Sequence, residues 1–351
     1  MTSRILIAGA TGYIGGSVLR SLLSAKVPPS KIWAIVRSDA QADSLEPLGV
    51  NVIQAALTEA DAVARIVLDN GIDLIIHTVS SVDHTLAASL LSALKSRKEE
   101  TGLPVHFIHT SGVSAFADKA GWPHGPAKEN DDLYELQAAI TTPYPVRETD
   151  VAIHKTANEY GVAVYTVVPP LVYGKGTGAG NKISVQIPTL IRAAIANKQV
   201  NRFAEDSEWP AVHVADLADY YMLLIQAIIN HRPPPSGNAG YYLVSGHALH
   251  WNELLSALAK ELHSMDLVSS AEISVWPNEE IKTKSLGLPS LFCDIAWNSN
   301  ASVLSKRHKD LGWQPQWDHE RLISEIGKEI DAVLEAGTAV KDLANILSTQ
   351  S

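Results

Sequence analysis

Ile5-Leu-Ile-Ala8, followed at once by Gly9-Ala-Thr-Gly12-Tyr-Ile-Gly15, runs four apolar residues into three glycines spaced three apart. The apolar run fits a strand buried on both faces, and the helical stretch Ser17 to Ala25 comes next. In a strand, turn and helix of this kind each glycine has a task. Gly9 makes the sharp turn, Gly12 lets the backbone approach a pyrophosphate, and Gly15 lets helix pack closely on strand. The helix N-terminus holds the anion. Gly9, Thr11, Gly12, Tyr13, Ile14 and Gly15 are therefore the expected core of a dinucleotide site. The alternative is a tight βα turn without a ligand.

Outward from this turn the same alternation repeats. Apolar runs at 32–36, 50–53, 74–77, 105–108 and 164–168 fit buried strands, and helix-like stretches at 60–69, 86–96 and 146–160 supply crossovers. The pattern predicts an α/β chain: a Rossmann-type doubly wound parallel sheet with a smaller, interleaved C-terminal substrate lobe. We expect residues 1–172 with 211–246 to form the dinucleotide-binding domain, and 173–210 with 247–351 the substrate lobe. Leu322, Ile323, Ile326, Ile330, Val333 and Leu334 recur at helical spacing, which predicts a covering helix and nothing more over 320–334.

Composition narrows the class. The chain has 351 residues, 46% of them hydrophobic and 19% charged, a balance that excludes a disordered chain. Its formal charge of −10 argues against a nucleic-acid surface. Its one cysteine, Cys293, can form neither an internal disulfide nor a thiolate cage, as expected in a reducing compartment. The N-terminus leaves no room for a cleavable leader, and no apolar stretch approaches the ~18 residues needed to cross a bilayer. The expected setting is cytoplasmic. Expected partners are a small-molecule substrate and, in a homodimer, a second copy of the chain, with no nucleic acid, membrane or metal.

Cofactor choice is read at the end of the second strand. A site for NAD places an acid about 20 residues beyond the glycines, to bond the ribose 2′-hydroxyl. Here the strand ends Val36-Arg37-Ser38. A guanidinium suits a 2′-phosphate, so NADP is expected over NAD, with Arg37 and Ser38 in the site. Asp39 keeps NAD open, and Arg37 as a solvated strand cap is the plainer alternative. Thr78, ending the fourth strand, joins the expected cofactor set.

TGxxG at the first turn, Thr110-Ser111-Gly112, Val168-Pro-Pro-Leu-Val-Tyr-Gly174, Val212-His-Val-Ala-Asp-Leu-Ala218 and Leu311-Gly-Trp-Gln-Pro315 come in an order that resembles the extended or atypical short-chain dehydrogenase/reductases of the epimerase/dehydratase type, with some likeness to NmrA-like proteins. The resemblance spans nearly the whole chain. It implies that Pro169, Leu171 and Val172 lie along the nicotinamide and that the C-terminal lobe closes over substrate. It also implies a Tyr-x-x-x-Lys pair, in which a lysine one turn away stabilises tyrosinate, helped by a hydroxyl at Ser111.

That pair is missing. The expected positions hold Thr142 and Val146, and a shift of two gives Tyr144 with Glu148. Tyr144 stands between Pro143 and Pro145 and should precede the helix. A nearby glutamate would raise its pKa. The helix keeps Arg147, Asp150, His154 and Lys155, which form either a solvated charged ridge or, with Arg147 turned into the site, a substitute cation beside Tyr144 as proton donor. The catalytic set is thus Ser111, Tyr144 and Arg147, although Ser111 can equally bond its own backbone. His106 and His109 point to opposite faces of one strand, which rules against a shared metal. Gly174 to Lys182 lacks the ending of a phosphate loop and reads as a flap. Trp209, Pro210 and His213 can line a substrate cleft, and His84 can cap a helix. The reading is an NADP-dependent oxidoreductase of a small carbonyl or alcohol with an altered proton relay. A cofactor-dependent isomerase, epimerase or dehydratase, or a non-catalytic NADP(H) sensor, are the alternatives.

Overall fold

The computed structural model describes residues 3–337. The ends of the chain, with the last part of the 247–351 stretch, lie outside the described residues. Seven parallel strands form the central sheet: β1 (Ile5–Ala8), β2 (Ile32–Val36), β3 (Asn51–Gln54), β4 (Leu74–His77), β5 (His106–Thr110), β6 (Ala163–Val168) and, after a second layer, β9 (Tyr241–Leu243). Their order is β9-β6-β5-β4-β1-β2-β3, so the chain runs outward from β1 in both directions. The β1 and β4 strands are wholly buried, as continuous apolar runs between two helical layers must be.

Helices α1 (Tyr13–Ser24), α2 (Asp39–Leu45), α3 (Ala60–Asp69), α4 (Thr85–Thr101), α5 (Pro145–Tyr160) and α6 (Val214–Ile229) cover the sheet. One apolar cluster joins Ile5, Ile7 and Leu19 to Tyr220 and Tyr221 on one face, and another joins Leu6, Phe107 and Leu90 to Ile153 on the other. A smaller mixed sheet, β7 (Leu171–Tyr173), β8 (Glu208–His213) and β10 (His247–His250), stands beside them, with β8 between the other two. The third and largest cluster lies around this sheet and includes Trp209, Trp251, Trp297 and Ile330. Among the described residues no helix is long and apolar enough to cross a membrane.

The helix expected over 320–334 is broken at Glu325, between a short turn at His319–Ser324 and α7 (Ile326–Ala336). Leu322, Ile326, Ile330 and Val333 are buried as their spacing requires, while Leu334 stays exposed.

Candidate active site

Gly9 sits at φ +96°, a conformation that L side chains rarely adopt. Gly12 closes the turn, donating its N–H to the Gly9 carbonyl at 2.8 Å, and then caps α1 without a side chain to offer. No carboxylate stands in the first helical turn, so the leading N–H groups remain available to an anion. Gly15 is pressed so closely that a Cβ there would stand 2.3 Å from both the Gly9 oxygen and Thr78 Oγ1. Thr78 in turn donates its hydroxyl to the Ala8 carbonyl at 3.0 Å, tying β4 to the turn.

These residues open onto a cavity of about 760 Å³, lined in part by Gly9, Thr11, Gly12, Arg37, Gln41 and Thr78. Arg37 is exposed at its edge, where its N–H meets Gln41 Oε1 at 2.8 Å. Asp39 is not among the lining residues, and, among the described residues, Glu335 is the one carboxylate that is. Ser38 caps α2 through Gln41. Ile14 packs against the core, and Tyr13 reaches away from the cleft to bond the Gly174 carbonyl at 2.7 Å. Pro169 and Leu171 are buried and Val172 half-buried, and none of the three lines the cavity.

The flap at 174–182 lies directly on the glycine turn. Asn181 donates its N–H to the Thr11 carbonyl at 2.9 Å, and a Cβ on Gly178 would stand 2.7 Å from the Gly16 Cα. Gly174 is held at both ends: its carbonyl accepts from Tyr13, and its N–H donates to Glu329 Oε1 of α7 at 2.6 Å. Lys175 pairs with Glu335 on the same helix. Far from being only a cover, α7 thus holds the flap and lines the cleft with Ala332, Glu335 and Ala336. Burial pushes the Glu329 carboxyl up to about 7, against the opposing pull of the Gly174 N–H.

A second cavity, about 390 Å³, shares α7 and is lined by Tyr173, His213 and Trp317 among others. His213 stacks on the Trp317 ring with centroids 3.6 Å apart and caps α6 through the Ala215 N–H. Trp209 is instead an inter-element wedge, its indole donating to the Ser299 carbonyl at 2.7 Å. His84 begins α4 without a side-chain cap, and Asp83 supplies it by accepting from the Thr85 N–H at 2.9 Å.

The chemical end departs most from expectation. Tyr144 does precede α5, in extended conformation at φ −150°, with Pro145 in the first turn. Its phenol is buried beside Ser114, three residues beyond Ser111, and burial rather than Glu148 raises its pKa, with Ser114 and Arg147 opposing. Arg147 is only 2% exposed and is used structurally. It donates to the carbonyls of Thr142, Ala115 and Ala120 at 2.8 to 3.1 Å, fixing the loop that carries Ser111. A solvated ridge is not what forms: Arg147, Asp150 and His154 all face inward, and only Lys155 of that group is exposed.

Nor does Ser111 bond its own backbone. Its hydroxyl donates to Asp150 Oδ2 at 2.7 Å, 6% exposed at the end of β5. Asp150 Oδ1 lies 3.3 Å from His109 Nε2, and His109 Nδ1 lies 3.2 Å from Nδ1 of His77, its register partner on β4. Asp150, His109 and His77 are fully buried. Burial raises the Asp150 carboxyl to about 7 and lowers His109 to about 3. His106 faces the opposite side and meets the Tyr165 hydroxyl at 3.1 Å. Sequence reasoning missed His77, and dismissed His109 because it weighed that residue only as a metal ligand. The usable signal was register: His77 ends β4, and its partner His109 is the next-to-last residue of β5.

The sequence matches the model of the NAD dependent epimerase/dehydratase family over residues 5–240. Among curated relatives, the oxidase ucsJ of Acremonium sp is 25% identical over 335 residues, covering 90% of this chain and 93% of that protein. A dTDP-4-dehydro-6-deoxy-D-allose reductase of Streptomyces sp is 23% identical over 235 residues, covering 63% of this chain and 72% of the reductase. Among solved structures, the dTDP-glucose 4,6-dehydratase of Bacillus anthracis in complex with NAD superposes with a TM-score of 0.66 at 11% identity, covering 96% of this chain and 98% of that one. The L-threonine dehydrogenase of Phytophthora infestans gives 0.62 at 17% identity, covering 94% and 99%.

Proposed function

The chain belongs to the NAD dependent epimerase/dehydratase family, and from that premise we propose that it is an NADP-dependent oxidoreductase acting on a small carbonyl or alcohol. The observation that carries this reading is the composition of one cavity: a glycine cradle that admits no Cβ at Gly15, a helix start without a capping side chain, and Arg37 at the edge. Thr11, Tyr13 and Ile14 would hold the pyrophosphate through backbone N–H groups, and Gly12, whose own N–H closes the turn on Gly9, would leave room for its approach. Arg37 would pair with a 2′-phosphate, and Lys175 and Lys182 add positive lining to an otherwise acidic chain. The bound dinucleotide supplies or accepts the hydride.

Ser111 is the hydroxyl that would meet the substrate oxygen, since it stands at the C-terminal edge of β5 where sheets of this type bind their ligands. Arg147 serves as a positioning residue, holding the Ser111 loop through three carbonyls. Tyr144, beside Ser114, is a second proton donor to test. Pro169, Leu171 and Val172 would shape the nicotinamide wall. The interleaved lobes at 1–172 with 211–246 and 173–210 with 247–351 would put the substrate between them. A buried Cys293 fits a reducing cytoplasmic setting, and light scattering would report a homodimer.

Titration with NADPH and NADH, followed by a panel of small aldehydes and ketones read at the nicotinamide absorbance, tests the proposal. NADPH binding tighter than NADH by tenfold or more, with turnover of at least one carbonyl, is expected. No binding of either nucleotide overturns it. Tight binding with no turnover would favour the NADP(H)-sensing reading, which draws on the missing lysine.

A further inference from the structure

We propose that Lys182 is the cation that closes on the pyrophosphate of the bound dinucleotide, carried there by the flap, and that Arg37 is left to the 2′-phosphate alone. The proposal rests on the cleft beside the glycine turn being the dinucleotide site. Among the described residues, the charged side chains lining that cleft are Arg37, Lys175, Lys182 and Glu335. Lys175 is paired with Glu335. Arg37 and Lys182 are left as the lining cations whose charged groups have no partner among the described residues. They come from different elements: Arg37 follows β2, and Lys182 ends the segment that lies on Thr11 and α1. A ligand with phosphates in two places, bound by a chain of net charge −10, needs local positive charge in two places.

The backbone is pinned on both sides of Lys182. Before it, Asn181 donates its N–H to the Thr11 carbonyl at 2.9 Å, and the Lys182 carbonyl itself accepts from the Gly176 N–H at 2.8 Å. After it, the Asn181 side chain brackets Ile183, its Oδ1 accepting from the Ile183 N–H at 3.0 Å and its Nδ2 donating to the Ile183 carbonyl at 3.1 Å. Further back, the Thr177 N–H donates to Ser17 Oγ of α1 at 3.3 Å. Glycines let the segment lie this close: a Cβ on Gly180 would stand 2.2 Å from the Thr11 carbonyl oxygen, and one on Gly176 would stand 3.0 Å from the Tyr13 ring. A segment that only covered the cleft would have room for side chains at these positions. Lys182 itself is exposed, so its stem can move while its backbone stays fixed. Closing on an anion then orders one side chain and no loop. The ammonium is a compact charge on a flexible stem, suited to a diphosphate that presents oxygens on several sides, whereas the planar guanidinium of Arg37 matches a terminal phosphate.

Calorimetric titration of the full chain with NADPH and NADH tests the assignment. Lys182→Met keeps an unbranched stem and removes the charge, and because the side chain is exposed the variant should melt with the wild type. It should weaken NADPH and NADH by the same factor, about tenfold to a hundredfold, the scale of one charge-assisted contact. Lys182→Arg should recover part of that loss. Unchanged affinity for both dinucleotides overturns the proposal. A loss confined to NADPH also overturns it, by putting Lys182 on the 2′-phosphate, and so does a loss that arginine leaves unrepaired, which would make the role one of flap packing. If the wild type binds neither dinucleotide, the reading of the cleft fails and inorganic pyrophosphate decides the rest. Pyrophosphate held by the wild type and at least tenfold more weakly by Lys182→Met keeps Lys182 as a diphosphate cation, while pyrophosphate that is not bound, or is bound equally by both, overturns the two together.

Discussion

The two halves of the site are built on opposite plans. The cleft beside the glycine turn is open and made largely of backbone: glycines without room for a Cβ, a helix start, and cations at the edge. The region behind Ser111 is closed and made of side chains, with Asp150, His109, His77 and His154 fully buried. Backbone geometry is set by a few local residues and tolerates much change around them. Buried polar groups depend on partners from several elements at once, and each partner left alone costs more than its bond contributed. The first plan depends on local backbone, and the second on side chains brought together from several elements.

Substitutions in the two halves should therefore fail differently. Gly15→Val should have the largest effect, about 3 kcal/mol or more of stability with loss of NADPH binding, because its side chain would overlap the Gly9 carbonyl and Thr78. Denaturant melts and a nucleotide titration would check it. Arg147→Ala leaves three carbonyls short of a donor and should cost about 2–4 kcal/mol, with NADPH affinity intact. A loss of nucleotide affinity instead would place Arg147 in the cleft and erase the contrast.

Asp150→Asn should act through pH. The native carboxyl titrates at about 7 and the unfolded one near 3.9, so the wild type gains stability from the bound proton at low pH and loses it as pH rises through 7. Between pH 5 and 8 the variant should gain about 2–3 kcal/mol relative to wild type in urea unfolding. Glu329, raised in the same direction, is present in both proteins and cancels. Arg37→Ala should weaken NADPH by about tenfold to a hundredfold while sparing NADH, the scale of a charge-assisted hydrogen bond. Lys175→Ala removes an exposed pair with Glu335 and should shift stability by less than about 1 kcal/mol.

The same contrast decides what was legible in the sequence. β1, its turn and α1 lie within 24 residues, and each glycine's task follows from its neighbours, so the cleft and the parallel sheet could be read directly. Arg37 at the end of β2 is equally local. Asp150 was visible but ambiguous, since spacing along α5 places it with Arg147 and His154 without saying whether that ridge meets solvent or sheet. The sheet decides it: His109 and Phe107 point to the face that α5 covers. His77 entered only through the β4–β5 register, which no single segment records. The role of α7 was hidden similarly, because a buried Glu329 among apolar spacing has no meaning until Gly174 is found against it.

Gly174 is clasped by Tyr13 from one end of the chain and Glu329 from the other. During synthesis the glycine turn emerges first, and the sheet can assemble long before α7 has left the ribosome. The 174–182 segment on the glycine turn gains its second anchor only when residue 329 arrives. A chain that stops short of α7 should therefore exchange nucleotide faster than one that includes it, and forming α7 should be the event that lengthens its residence.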